Sequence, residues 1–255
     1  MQNTIFFATF RRSNKPMDVI MKKTLAVTLS TFALVACNGE GEPGSGSSSG
    51  LNGNNALAIA SSAFSEKDEF RHEYVDASSL ARAARAAVTE ECQVSGTVSV
   101  DSTAESIVVT YDQCVQAFES YQWTTHGSFT FEGTGSSGSV SGGLLLTAGN
   151  ESVEVKNFSM TLSLNEINGE FTESFGYTYV AKTTEFTGTL TVNTDQPFVY
   201  LDEFDNFPNS GQLSVESSDG SSVVVTVVSA DQGVSVVING ASAVTHTWEE
   251  FDDAE

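Results

Sequence analysis

The sequence has few basic residues, few cysteines and few histidines, and each shortage narrows the range of functions. Eleven Lys and Arg stand against 33 Asp and Glu, which gives a formal net charge of −22. A surface of that sign repels phosphate backbones, so the composition excludes nucleic-acid binding. Three His and three Cys leave little material for metal centres or nucleophilic catalysis, and the zinc-protease, hydrolase, phosphate-loop and dinucleotide motifs are all missing. We therefore expect no cofactor and no enzymatic activity.

The apolar run near the N-terminus is too short to cross a membrane as a helix. Residues 24–36 give 13 largely apolar positions, whereas a spanning helix needs about 20. The run follows the basic Met21-Lys22-Lys23 and fits the hydrophobic part of a secretory signal. We interpret residues 1–20 as a mis-assigned start, with Met21 as the true first residue.

The cysteine at the end of this run predicts how the protein is attached to a membrane. Leu34-Val35-Ala36-Cys37 resembles the lipobox of bacterial lipoproteins: an aliphatic residue, a variable one, a small one and then cysteine. The resemblance implies a signal peptide over residues 1–36, cleavage before Cys37, and a diacylglycerol on its thiol with an N-acyl chain. Asn38, where an Asp tends to hold Gram-negative lipoproteins at the inner membrane, implies the outer membrane. An ordinary buried cysteine conflicts with the basic flank and with the polar segment that follows.

Residues 37–55 are predicted to be the lipidated cysteine and a flexible tether, because the segment is rich in Gly and Ser. Cleavage before Cys37 removes five of the 11 Lys and Arg but only one of the 33 Asp and Glu, which leaves a net charge of −26. Such a chain repels an anionic membrane surface. The covalent lipid is therefore the expected membrane attachment.

The remaining cysteines, Cys92 and Cys114, are predicted to form a structural disulfide, since an exported protein meets an oxidising compartment. A hairpin turn centred on Thr103 places them opposite each other. Pairing the apolar faces of the two strands requires a register shifted by one residue, and a bulge near Asp112-Gln113 would reconcile the two registers. Zinc binding is the alternative, but two thiolates without a nearby His do not complete a site.

The rest of the chain predicts one mainly β domain. Residues 56–91 favour helix, through Ala-rich spacing with caps such as Asp76. Residues 92–250 alternate β-branched and aromatic residues with Ser and Thr between recurrent turn signals. We expect about twelve strands in an antiparallel up-and-down meander, curled into a half-barrel or barrel. Residues 251–255 are predicted to be an acidic tail.

Turn positions give strand registers and a shared aromatic face. A turn at Gly149-Asn150 pairs Leu146 with Val153. Turns at Asn168-Gly169 and Lys182-Thr183 pair Phe175 with Leu162 and Tyr179 with Phe186. The row lies on one face of three consecutive strands and comprises Phe158, Phe175, Tyr177, Tyr179 and Phe186. These side chains either fill a closed core or line a cavity for an acyl chain. The second interpretation resembles, in shape only, the half-barrel carriers that move lipoproteins across the periplasm.

One acidic loop is a candidate calcium site. Asp202, Glu203, Asp205 and Asn209 bring oxygen ligands together within eight residues, although a solvated acidic loop has the same composition. The sequence thus favours a non-enzymatic, outer-membrane-anchored binding or structural module on either face of that membrane. The alternatives are a carrier of lipid or another hydrophobic ligand, and then calcium-assisted surface adhesion or an enzyme. The expected partners are the membrane, through the lipid, and a hydrophobic ligand or a cell-envelope protein.

Overall fold

A computed structural model describes the chain from Gly50 onward, with gaps. The described residues are 50–53, 55–65, 87–103, 106–118, 121–134, 136–183, 186–202 and 205–254. The predicted signal peptide, Cys37 and most of the predicted tether lie outside this part of the chain.

All the strands form a single antiparallel sheet in which each strand pairs with the next along the chain. The first and last strands each pair with one neighbour, so the described sheet is open, in keeping with a half-barrel. The predicted class, the meander and the number of strands are confirmed. The elements are α1 (56–65), β1 (Val88–Glu91), β2 (Ser95–Ser102), β3 (Ser106–Phe118), β4 (Tyr121–Thr134), β5 (Ser137–Ala148), β6 (Glu151–Leu164), β7 (Phe171–Lys182), β8 (Thr187–Tyr200), β9 (Ser210–Ser217), β10 (Ser222–Ser229), β11 (Gly233–Ile238), β12 (Val244–His246) and α2 (Trp248–Asp252).

The core lies on one face of the sheet, and the period-2 pattern of the sequence produces it. On β7 the side chains from Glu173 to Ala181 are alternately buried and half-buried. Helix α1 packs on the same buried side through Ala56, Ala60 and Phe64, which recur at helical spacing. The other side of β5, β6 and β7 is rich in Ser and Thr, so it suits contact with water.

The two ends of the sheet differ in what they carry. The chain enters α1 beside the turns at 218–221 and 239–243, and because connections alternate in a meander, those at 92–94, 149–150 and 183–186 lie at this end too. We call it the Gly50 end. The opposite end, which we call the Ile167 end, carries the loops at 165–170, 201–209 and 230–232 together with α2.

A line of bulges and glycines crosses the sheet. Extra residues are inserted on β3 between Tyr111 and Cys114, on β6 between Val155 and Ser159, and on β8 between Asn193 and Phe198. The strands between them, β4, β5 and β7, carry Gly127, Gly142 and Gly176 beside these positions. A Cβ on Gly142, whose φ is +150°, would lie 2.1 Å from the Ser128 carbonyl oxygen, so only glycine allows this approach of the two strands.

Two predicted boundaries are wrong. The helix expected over 56–91 is observed at 56–65; residues 66–86 lie outside the described residues, and Val88–Glu91 is strand β1. Pairing of Val88 with Val100 overrides the local helical tendency of the segment. The β domain does not continue to 250, because residues 248–252 of the predicted strand end and acidic tail form α2.

Of the three residue pairings predicted above, one is confirmed and two are wrong. Leu146 pairs with Val153 as expected. Phe175, however, pairs with Met160 rather than Leu162, and Tyr179 pairs with Leu190 rather than Phe186. The shifts are of two and four residues because the connections are longer than two residues. In the first, the Gly169 N–H bonds the Asn165 carbonyl oxygen at 2.8 Å. Even shifts keep the same face, so the aromatic row still points into the core.

Candidate functional site

The predicted aromatic row is assembled in the interior of the sheet. Phe158 on β6, Phe175, Tyr177 and Tyr179 on β7, and Phe186 before β8 are all buried. The Phe158 ring lies 6.0 Å from that of Tyr177, which lies 6.5 Å from that of Phe175, between ring centroids. Distances of this size are those of packed aromatic pairs. In the described conformation the rings therefore pack against one another on the buried face of the sheet.

The row continues into a second aromatic cluster at the Ile167 end. The Phe198 ring lies 6.1 Å from that of Phe175 and 5.2 Å from that of Phe64 on α1. Phe64 also contacts Phe251 and Trp248 of α2, at 5.8 and 5.4 Å between centroids. We call Phe64, Phe198, Trp248 and Phe251 the α1–α2 cluster. It fixes both helices to the sheet.

A capping box explains why α2 forms and could have revealed it. The Thr247 hydroxyl accepts from the Glu250 N–H at 3.2 Å, and the Glu250 carboxylate accepts from the Thr247 N–H at 3.0 Å. The sequence signal was present as Thr followed three residues later by Glu. It was missed because the acidic composition suggested a solvated tail, although Phe251 inside it is buried.

A buried carboxylate within the aromatic row was also missed. Glu173 is 1% exposed, and its Oε1 accepts a hydrogen bond of 2.5 Å from the Tyr200 hydroxyl on the neighbouring strand. Phe198 faces Glu173 across the strand pair. The signal was its phase, because Glu173 alternates in step with Phe175 and Tyr177 and so had to point inward. The interior therefore combines aromatic walls with a directed polar pair, the composition of many ligand pockets.

The disulfide prediction is supported by the structure. The sulfurs of Cys92 and Cys114 lie at disulfide distance, with the Cα atoms 5.5 Å apart. The predicted bulge is present, since pairing shifts between Tyr111 and Cys114 and Gln113 has φ +47°. A Cβ on Gly96 would lie 2.0 Å from the Gln113 carbonyl oxygen. The turn that carries Cys92 thus packs directly on the bulge that turns Cys114 toward it.

The candidate calcium ligands are only partly described. Asp202 and Asp205 are both present, and the Asp205 carboxylate accepts from the Asp202 N–H at 3.0 Å. The Asn209 N–H bonds the Val199 carbonyl oxygen at 2.7 Å. Glu203 lies outside the described residues. Among the residues that are described, no group of three His, Cys, Asp or Glu side chains is placed to hold a metal ion, so the set of four stays a sequence-based prediction.

One histidine has an acidic neighbour. His126 Nδ1 lies 3.7 Å from Asp112 Oδ1, and both side chains are more than half exposed. A solvent-exposed ion pair contributes about 0–1 kcal/mol to the stability of a fold. Its open position also lacks the dry surroundings that strengthen catalytic electrostatics.

Charge is distributed unevenly between the two ends. Lys156 and Lys182 are the only Lys or Arg side chains in the described part of the chain, and Lys182 ends β7 at the Gly50 end. The Ile167 end carries Ile167 and Leu201, which are 97% and 64% exposed. The carboxylates of that end are Asp101, Glu132, Glu166, Glu170, Asp202, Asp205, Asp231, Glu249, Glu250, Asp252 and Asp253.

Comparison with protein-family models, with curated proteins and with solved structures gives no match. Neither helix in the described ranges has the length and apolar character needed to cross a bilayer. The function is therefore argued from the chain itself.

Proposed function

We propose that the protein is an exported bacterial lipoprotein, held at the outer membrane by acylated Cys37, whose β domain is a non-enzymatic binding or structural module. The observation that carries the proposal is the sequence Leu34–Cys37 behind a short apolar run. Three acyl chains, at about 0.8 kcal/mol for each buried methylene, make a firm anchor.

The cysteine pair gives independent support for export. Cys92 and Cys114 lie at disulfide distance, and stable disulfides belong to oxidising compartments. The strongly acidic composition agrees with a domain that stays soluble beside a membrane. We favour binding or structure over catalysis because the one His–Asp pair described, His126 with Asp112, is open to solvent.

A carrier of hydrophobic ligands is the second candidate. It is favoured by the open sheet and by an aromatic interior that holds the Glu173–Tyr200 pair. A ligand would have to part rings that now contact each other, such as Phe158 and Tyr177. Native mass spectrometry of the protein from membranes decides this question. A bound lipid in addition to the covalent anchor supports the carrier, and its absence supports the structural or protein-binding module.

Lipidation is tested by labelled palmitate in cells that express the full chain. Wild type should incorporate label and fractionate with the outer membrane. The C37S variant should incorporate none, because the acceptor thiol is gone. The matched control is the C92S/C114S double variant, which loses two cysteines but keeps Cys37 and should still be labelled. Label that persists in C37S, or that is absent from the control, would contradict the assignment of Cys37.

A further inference from the structure

The point at which the N-terminal segment joins the domain is fixed by hydrogen bonds from two turns. The Leu51 N–H donates to the Ser221 hydroxyl at 2.7 Å, and the Leu51 carbonyl oxygen accepts from Asn239 Nδ2 at 3.2 Å. Asn55 Nδ2 donates to the Gly50 carbonyl oxygen at 3.1 Å. Both backbone groups of Leu51 are thus held, so residue 50 cannot move away from the Gly50 end without breaking them.

The turn at 218–221 also packs against Gly50. A Cβ on Gly50 would lie 1.9 Å from Asp219 Oδ2, so the Asp219 carboxylate rests directly on the chain. Hydrogen bonds from the Ser221 hydroxyl, and then from its backbone N–H, hold the pKa of Asp219 below its usual value. This carboxylate is therefore ionised at neutral pH, and it lies against Gly50, where the described part of the chain begins.

The length of the upstream chain limits what can approach the anchor. Gly50 follows Cys37 by 13 residues, which span at most about 45 Å at full extension. The longest strands have 14 residues, or about 45 Å at ~3.3 Å per residue. The Ile167 end could reach the anchoring surface only if the whole segment were stretched back along the domain.

Charge opposes that reversed orientation as well. The Ile167 end carries the carboxylates named above and, among the described residues, no Lys or Arg. The Gly50 end carries Lys182 and fewer carboxylates, which are Glu90, Glu91, Glu151, Glu216 and Asp219. An anionic lipid surface therefore repels the Ile167 end more strongly than the Gly50 end, over roughly a Debye length, ~8 Å at physiological salt. Length and charge therefore select the same orientation.

We infer that the Gly50 end is the surface that faces the lipid bilayer and that the Ile167 end, with exposed Ile167 and Leu201, is presented away from it. The inference rests on the proposed lipid anchor for its biological meaning, and on the fixed position of Leu51 for its geometry. It assigns the turns at 149–150, 183–186, 218–221 and 239–243 to the membrane side.

The test measures the distance of three labelled positions from a vesicle surface. Full chains that keep Cys37 carry one further cysteine each, N150C at the Gly50 end, S159C in mid-strand and I167C at the opposite end; all three residues are exposed. A thiol-reactive fluorophore is attached without reductant, so that Cys92 and Cys114 stay joined. The lipidated proteins are reconstituted in vesicles whose lipid headgroups carry a nitroxide quencher.

Quenching should fall from N150C through S159C to I167C, with a several-fold difference between the two ends. Anionic vesicles should widen that difference relative to zwitterionic ones, and high salt should remove the extra part. Equal quenching at the three positions would mean that the domain lies on its side, and stronger quenching at I167C would mean the reverse orientation. Either result overturns the inference.

A second arm separates this inference from the proposed anchor. The full chain with C37S and six histidines inserted after residue 37 is bound to nickel-chelating vesicles, so the attachment point is kept without native acylation. The same gradient there, combined with no palmitate labelling of wild type, would refute the proposed lipoprotein but uphold the geometry. The control is the S221A/N239A variant, which lacks both hydrogen bonds to Leu51. We expect the quenching gradient to be lost in this variant. An unchanged gradient would contradict the role given to these hydrogen bonds.

Discussion

The buried pair of Glu173 and Tyr200 offers a quantitative test of the interior. The Tyr200 hydroxyl donates to Glu173 Oε1 at 2.5 Å, and both side chains are at most 1% exposed. A hydrogen bond to a carboxylate contributes about 1.5–3 kcal/mol, against about 0.5–1.5 for a neutral one. Y200F should therefore lower the free energy of unfolding by about 1.5–3 kcal/mol. E173Q keeps the shape and an acceptor oxygen, so it should cost less.

The double-mutant cycle isolates the pair from the other contacts of each residue. In the E173Q background Y200F should cost only about 0.5–1.5 kcal/mol, and the midpoints of the two ranges differ by a coupling energy of about 1 kcal/mol. The measurement is urea unfolding of the full chain and its three variants at neutral pH, with the slope m unchanged. The matched control is E170Q, an acidic residue in the same hairpin that bonds Asn168; its effect should add to that of Y200F. A Tyr200–Glu173 coupling within ~0.5 kcal/mol of zero would refute the pair.

Three further outcomes follow from other contacts. F64A should lower the free energy of unfolding by ~3–5 kcal/mol, because Phe64 is buried against three rings; a loss under about 1 kcal/mol in urea unfolding would contradict the α1–α2 cluster. Cys92 and Cys114 should show no titratable thiol in denatured, unreduced protein, and their reduction should cost about 3 kcal/mol. Hydrogen bonds from the Thr247 N–H and then its hydroxyl lower the pKa of Glu250 below its usual value, so its cap should persist above that usual pKa and be lost as pH falls through the lower folded pKa. NMR titration of Glu250 checks this, and T247A should move the midpoint only part of the way back, because the N–H remains.

The sequence was a good guide to the face of each strand and a poor guide to register. Hydrophobic alternation decides which side chains point inward, and it put Phe175 and Tyr179 in the core whichever residues they pair with. Register depends on the length of the connection. Asn168-Gly169 suggested a two-residue turn, but Asn165 ends β6 early because its carbonyl oxygen is bonded by the Gly169 N–H. Such a competition between local turns is invisible to a pattern of alternation.

The site was harder to predict than the fold. Cys92 and Cys114 were found because two constraints, opposite position and strand face, met at one bulge. Glu173 was overlooked because a lone carboxylate among aromatic residues is usually read as solvent-facing, whereas its partner Tyr200 lies 27 residues away. Only the strand pairing brings the two together. A polar pair formed across strands carries no local signal except the phase of each residue.

The line of bulges connects the sequence to the open shape of the sheet. Each bulge bends its strand and increases the local twist, and here the bulges of β3, β6 and β8 lie along one line across the sheet. Glycines inside the strands, such as Gly142 and Gly176, allow the close approach that this bending needs. A flat sheet of the same strands would leave α1 covered on one side only. Because Ser61 and Ser62 on α1 are as buried as Ala60 and Ala63, the helix must be enclosed on more than one side. The glycines thus permit a curvature that the alternating pattern alone leaves undetermined.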